Sequence, residues 1–344
     1  MGMFNSPNSY IGVDIGTFGI KVVELVKKDG KIKLLTYGFS ELSNFSNNDW
    51  QKDVKYVADK INKICLEAGV ENRNAISALP TFSVFSSIIN LPKVAKNELV
   101  DAINWEAKKV IPIPLDEMTV DWRKIDDDSV KGDNMKVLLT GAPNSLVKKY
   151  MDIFAEAQIG LVSLEPESFS LIRALLGGDK TPVLLVEIGA STTDITIIEN
   201  NIPIFNRSID IGGMTITAAV SKHLGVGLER AEQFKYDLGI SSIESQQNSV
   251  PKIIADSLAP MINEMKYTIN LYANKNDKKV DKIVLSGGSS LLPGLVQYLS
   301  SILNINVYIG DPWSRVDCPE DLKPLLNQIG PRMSVAVGLA MRGL

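Results

Sequence analysis

Short apolar runs at 9–14, 20–27 and 31–39 predict a buried strand followed by a hairpin that turns at Asp29-Gly30. The period then changes. Val54, Val57, Ile61, Ile64, Cys65 and Ala68 recur at helical spacing, so a helix is expected from about Trp50 to Ala68, capped by Asn47 or Asn48 and ended by Gly69. A strand over 74–79 closes a first helix-backed unit. Beyond it, a strand at 83–90 precedes a helix over about 96–110, whose inner stripe is Leu99, Ile103, Ala107 and Val110. Ile111-Pro112-Ile113-Pro114 stops that helix, because proline fixes φ and lacks an N–H. Strands at 118–125 and 135–141 flank Asp126-Asp127-Asp128, which reads as a solvated hairpin tip, and a helix follows at 145–157. The whole of 83–159 looks like an inserted αβ unit. A strand at 161–164 enters Glu165-Pro166-Glu167, with a helix running on to about Leu176.

The order then starts again. A strand at 183–188, a hairpin over 194–205 turning at Asn200-Asn201, and helices at about 214–224, 228–238 and 251–273 are expected. A strand at 280–286, a helix from Pro293 to Ile302, a strand at 305–309 and a last helix over 333–341 complete the chain. One short pattern occurs in both halves. Val13-Asp14-Ile15-Gly16-Thr17-Phe18-Gly19-Ile20-Lys21 aligns without a gap on Val186-Glu187-Ile188-Gly189-Ala190-Ser191-Thr192-Thr193-Asp194, every pair 173 positions apart. Each copy is a strand, an acidic residue, a glycine turn with small or hydroxyl residues, and a second strand. Such a turn lets backbone N–H groups and hydroxyls converge on an anion, beside a carboxylate suited to a hydrated Mg²⁺. Acidic–x–Gly turns are common singly; two in register point to a duplicated domain that clamps a nucleotide between its halves.

Composition narrows the field without choosing within it. The 344 residues suffice for two domains, 45% are hydrophobic and 22% charged, and the net charge of −4 argues against a general nucleic-acid binder. Two distant cysteines, Cys65 and Cys318, have no metal-ligand spacing and fit a reducing cytoplasm. The single His223 excludes most histidine-based metal or triad chemistry, and no apolar run approaches the roughly 18 residues of a membrane span.

Three further stretches suit the same ligand. Ser286-Gly287-Gly288-Ser289 joins a strand to a helix, and its bare backbone lets a base or ribose lie close. Glu229, Glu232 and Lys235 share one helix face and offer hydrogen bonds to a ribose or adenine. Gly212-Gly213 opens the preceding helix, whose first N–H groups are free to meet phosphates.

These motifs, with the closing Ala336-Val337-Gly338-Leu339-Ala340, resemble the actin-like ATPase superfamily over nearly the whole chain. The resemblance implies an α/β fold of duplicated actin-like (ribonuclease H-like) domains, with a nucleotide cleft between them and an FtsA-type αβ insertion subdomain. It divides the chain into a first half (1–82, returning at 160–180), the insertion (83–159) and a second half (181–344). In that second half, a subdomain is set in at about 212–275 and helix 333–341 returns to the first half. Within the superfamily the chain is most similar to the PilM family of type IV pilus assembly proteins. The stretches that carry this are Asp14-Ile15-Gly16 through Leu25, Ile89-Asn90-Leu91-Pro92, Glu98-Leu99 through Trp105-Glu106-Ala107 to Ile111-Pro112, and Glu187-Ile188-Gly189-Ala190-Ser191. An FtsA-type chain is expected to continue into an amphipathic membrane helix, whereas this sequence stops at Leu344.

By matching position, the resemblance implies ATP and Mg²⁺ in the cleft. Asp14 and Glu187 would reach the metal through water. Gly16, Thr17, Phe18 and Gly19 would hold phosphates from one side, with Lys21 adding charge, and Gly189, Ser191, Thr192 and Asp194 from the other. Gly212, Gly213, Glu229, Glu232, Lys235, Gly287, Gly288 and Ser289 would complete the nucleotide site. Glu165 matches a water-orienting glutamate of bacterial actin-like filaments. Glu187 stands where most of the superfamily has aspartate, and the longer arm displaces a carboxylate in chemistry that depends on positioning, so tight binding with slow turnover is expected. The family's role implies a cytoplasmic scaffold at the inner face of the membrane. It would hold the N-terminal peptide of a PilN-like membrane protein in a groove between the first half and the insertion. PilO-like proteins, the pilus motor, and ring or filament self-assembly are further expected contacts. A filament-forming or FtsA-like anchor protein and a small-molecule kinase are the alternatives.

Overall fold

The computed structural model describes residues 9–41, 53–92, 94–95, 97–125, 134–240, 249–276 and 278–344. The sequence expectations for the Asn47 or Asn48 cap, the start at Trp50 and the Asp126–Asp128 tip lie outside them. The first half is a five-stranded sheet of β1 (Ser9–Gly16), β2 (Gly19–Lys28), β3 (Lys31–Glu41), β4 (Asn74–Leu79) and β8 (Gly160–Pro166), ordered β3-β2-β1-β4-β8. The second half repeats it with β9 (Val183–Ile188), β10 (Thr193–Glu199), β11 (Ile202–Ile209), β12 (Lys282–Ser286) and β13 (Asn306–Ile309), ordered β11-β10-β9-β12-β13. In both, the first three strands meander antiparallel and the last two join parallel. The duplication visible in the turn motif therefore extends to whole sheets.

Helices cover these sheets for the reason their spacing predicts. α1 (Val54–Ala68), capped by Asp53 and ended by Gly69 in the left-handed region, turns Val57, Ala58, Ile61, Ile64 and Cys65 inward. The second half carries α5 (Gly213–Leu224), α6 (Leu228–Leu238), α7 (Val250–Asn276) and α8 (Leu295–Leu303). The closing helix α9 is longer than expected, Lys323–Met341 rather than 333–341. Pro331 lies inside it, where proline removes one helical hydrogen bond. The carbonyl of Pro331 accepts from Gly287 N–H and Ser286 Oγ, tying the helix to the second sheet. Val335 and Leu339 of α9 pack in one core with Ile76 and Ala78 of the first sheet and Val183, Leu185 and Val284 of the second. Both halves thus share one hydrophobic seam, and α9 lies in it.

The inserted unit is an antiparallel sheet of β5 (Phe85–Pro92), β7 (Asn134–Pro143) and β6 (Met118–Ile125), in that order, with α2 (Leu99–Val110) on one face. Its core is its own, from Ile89, Leu91, Ile103, Ala107, Val137 and Leu139. Helix α3 (Asn144–Glu156), expected within the insertion, belongs elsewhere by packing. Tyr150, Ile153 and Phe154 lie with Val57, Ile61 and Ile64 of α1 in the core under the first sheet. The separately cored unit is therefore shorter than 83–159.

Candidate functional site

The two glycine turns face each other across a cleft of about 600 Å³ between the halves. Sheet register explains what they carry. In an antiparallel pair, residues directly opposite have neighbouring side chains. Asp14 pairs with Lys21 across β1–β2, and Glu187 pairs with Asp194 across β9–β10, at equivalent positions of the repeat. The first copy is self-neutralising: Lys21 Nζ donates to Asp14 Oδ2 at 2.9 Å. Burial alone pulls the Lys21 pKa down, but Asp14 outweighs it and the net shift is upward. The second copy sets two carboxylates side by side. Burial, then Asp194, then Asp14 push Glu187 up to about 8, with Lys21 opposing. Asp194 rises to about 6 through burial, against a hydrogen bond from Ser208.

A third carboxylate joins them. Glu167, at the start of the short helix α4 (Glu167–Leu171), accepts from the Thr81 N–H at 3.1 Å and from its hydroxyl at 3.4 Å. Its pKa is raised by burial and then by Glu187, Asp194 and Asp14. Ligand oxygens of Glu167, Glu187 and Asp194 lie within 4.8 Å of one another, and Glu187 Oε2 is buried without a hydrogen-bond partner. Clustered carboxylates with raised pKa values and an orphaned buried oxygen are the donor set a hard divalent cation satisfies. The residues fit Mg²⁺. Asp14 is outside this trio, its Oδ2 being engaged by Lys21.

At the far end of the cleft, Gly287 adopts φ 82°, and a Cβ there would collide with the carbonyl of Ile188, so only glycine turns the chain this tightly. Gly288, Ser289, Gly213, Glu229 and Glu232 line the same end. Lys235 is 1% exposed; its Nζ donates to both Glu232 oxygens at 2.8 Å, to Thr217 Oγ1 at 3.0 Å and to the Gly213 carbonyl at 3.3 Å. It holds Glu232 and the start of α5 in place. Burial lowers its pKa, against the pull of Glu232.

Of the sequence-predicted residues, Asp14, Gly16, Thr17, Phe18, Gly19, Lys21, Glu187, Gly189, Thr192, Asp194, Gly213, Glu229, Glu232, Lys235, Gly287, Gly288 and Ser289 line the cleft. Ser191 and Gly212 do not reach its wall, although Gly212 packs against the Ala190 carbonyl behind it. Glu165 is a correction. It lies in a second cavity, 6% exposed, where Arg173 grips both its oxygens at 2.8 Å and Arg342 adds a contact of 2.7 Å. Strand β8 ends at Pro166 and the chain turns into α4, so residues 165 and 167 lose the shared face that strand alternation would give them. Glu167 occupies the cleft instead. Phe39, Phe82 and Arg332 also line it without having been read from the sequence.

The second cavity, about 310 Å³, runs between the first sheet and the insertion. Leu164, Glu165 and Pro166 of β8 and Thr119, Asp121 and Trp122 of β6 form its sides, and both are edge strands of their sheets. Leu79, Val84, Leu138 and Phe169 line it alongside Arg123, Arg173 and Arg342.

Comparison with known proteins agrees with this architecture. The cell division protein FtsA of Neisseria meningitidis is 28% identical over 46% of this chain, which spans 41% of that relative. A PilM–PilN type IV pilus biogenesis complex contains a chain of 24% identity that superposes with a TM-score of 0.84, covering 97% of this chain and 98% of that one. MreB 5 of Spiroplasma citri bound to AMPPNP shares the fold at 13% identity and a TM-score of 0.56, over 96% and 94% of the two chains. The family profile described as type IV pilus assembly protein PilM matches residues 12–344. With a duplicated actin-like fold and an FtsA-like insertion, the chain belongs to the PilM family of type IV pilus assembly proteins.

Proposed function

We propose that the protein is an ATP-binding scaffold of the type IV pilus machine, which grips the extended N-terminal peptide of a PilN-like membrane protein. The observation that carries the reading is the pairing of two cavities on one first-half sheet: a glycine-and-carboxylate cleft and a groove of mixed apolar and charged lining between two strand edges. Extended peptides bind such edges through main-chain hydrogen bonds, with alternate side chains in pockets. The resemblance to the PilM–PilN complex supports PilN as the partner, and an actin-like neighbour bound to AMPPNP supports a nucleotide in the cleft.

In that reading, the Gly16–Gly19 and Gly189–Thr192 turns hold the phosphates. Glu167, Glu187 and Asp194 seat the Mg²⁺ that neutralises them, and Asp14 reaches it through water. Glu229 and Glu232 take the ribose, with Gly287, Gly288 and Ser289 against the base. The cation would supply charge neutralisation between the halves. The chain's own residues fix its position. Attachment to the inner face of the membrane comes through the partner; among the described residues no helix is long and apolar enough to cross a bilayer. PilO-like proteins and the pilus motor are the further contacts such a scaffold would make.

Calorimetric titration with a synthetic peptide copying the PilN-like protein's cytoplasmic N-terminus tests the groove. Binding that is lost in Trp122→Asp, with the melting temperature unchanged, is the expected result. Unaltered affinity in that variant would move the partner site off this groove.

A further inference from the structure

We propose that Thr81 is a positioning residue for the cation site, acting by fixing the carboxylate that the first half places in the Glu167–Glu187–Asp194 cluster. The inference rests on the reading of the cleft as a nucleotide–cation site. Glu187 and Asp194 both come from the second half, on β9 and β10. Glu167 comes from the first, so a cation held by all three spans the cleft, and its geometry depends on where Glu167 points.

A glutamate at a helix start has free χ angles and a broad choice of carboxylate positions. Thr81 removes that choice. It is 5% exposed, in the single 3₁₀ turn Thr81–Ser83 that follows β4, and its N–H and hydroxyl both donate to the same oxygen, Oε2. Oε2 is thereby anchored on the first-half wall, which fixes the carboxylate that joins the cluster. Second-sphere donors of this kind orient metal-binding carboxylates, and their loss commonly costs roughly 10–100-fold in metal affinity.

The local backbone allows both donors to be removed in steps. Thr81→Ser keeps both, and Thr81→Val keeps the N–H alone. Thr81→Pro removes both at the first position of a helical turn, where proline's fixed φ is tolerated. The preceding Pro80 has ψ 134°, the extended conformation that a residue before proline requires.

The test is titration of each full-length variant with Mn²⁺ in the presence of ATPγS, following free Mn²⁺ by electron paramagnetic resonance. ATPγS affinity in EDTA and the melting temperature are measured alongside. Thr81→Ser should match the parent, Thr81→Val should bind Mn²⁺ severalfold more weakly, and Thr81→Pro roughly tenfold or more, with ATPγS affinity in EDTA unchanged. Parental Mn²⁺ affinity in Thr81→Pro would overturn the proposal. If that variant does not fold, equal affinities in the valine and serine variants would overturn it instead. A parent protein that binds ATPγS but no Mn²⁺ would refute the cation reading itself, a distinct failure from that of Thr81.

Discussion

Glu187 and Asp194 are cross-strand neighbours of like charge, where the matching pair in the first half is Asp14 and Lys21. Their raised pKa values make folding stability depend on pH when no cation is present. A carboxyl whose folded pKa lies above its unfolded value binds more protons when folded, so its stabilising contribution is present at low pH and lost on raising the pH. Here that contribution is complete below the ordinary carboxylate range and disappears as pH passes about 6 for Asp194 and about 8 for Glu187. Melting in EDTA should therefore fall between pH 5 and pH 8.5, and Glu187→Gln should flatten the upper part of that fall. An unchanged slope in the variant would contradict the assignment. Lys235 sits at the other extreme, a buried cation with all its donors used. Lys235→Met should cost about 2 kcal/mol in urea unfolding, less than for a fully buried pair because Glu232 keeps about a third of its surface exposed. At this scale the sequence was informative wherever a side chain's place follows from a glycine turn or helix spacing. It misplaced the catalytic candidate, because whether Glu165 or Glu167 faces the cleft is decided by the end of β8 and by Arg173 and Arg342, which arrive from other elements.

Elements carry the cleft through a few close approaches. The turn at Gly287 is pinned on two sides: its N–H donates to the Pro331 carbonyl of α9, and the missing Cβ leaves room for the Ile188 carbonyl. Gly287→Ala forces a left-handed φ on alanine in addition to the clash. Roughly 1–3 kcal/mol of destabilisation is expected, with a matching drop in melting temperature and weakened nucleotide binding. Parental stability in that variant would show that the turn relaxes freely. Most strands and helices were legible because each half-buried element carries its own period. The exceptions have a common cause. The first eight residues of α9, Lys323 to Gly330, precede a proline, and α3 follows a strand of the insertion while packing on α1. Both are settled by tertiary contacts that local pattern does not encode.

The whole molecule is two copies of one sheet joined through a shared core that includes α9, with a cleft at their turn ends and an inserted sheet beside the first. The duplicated motif made the architecture readable, since a constant offset between two turns requires equivalent surroundings. The residues of the cavity between β6 and β8 come together only when two edge strands distant in sequence are set side by side. A ligand that binds both halves of the folded protein and not the unfolded chain must stabilise it. Melting temperature should rise with ATPγS and Mg²⁺ together by more than with either alone, and this excess should vanish in Glu167→Gln. Equal excess in the variant would remove Glu167 from the cation seat. The proposed function has ATP in the cleft, and Glu187 in place of aspartate leads us to expect slow turnover there. The direct measurement is to incubate the purified protein with ATP and Mg²⁺ for an hour, remove free nucleotide by rapid desalting, and identify what remains bound by chromatography. Close to one nucleotide per protein, predominantly ATP, is expected; bound nucleotide that is mainly ADP, or none at all, would contradict this.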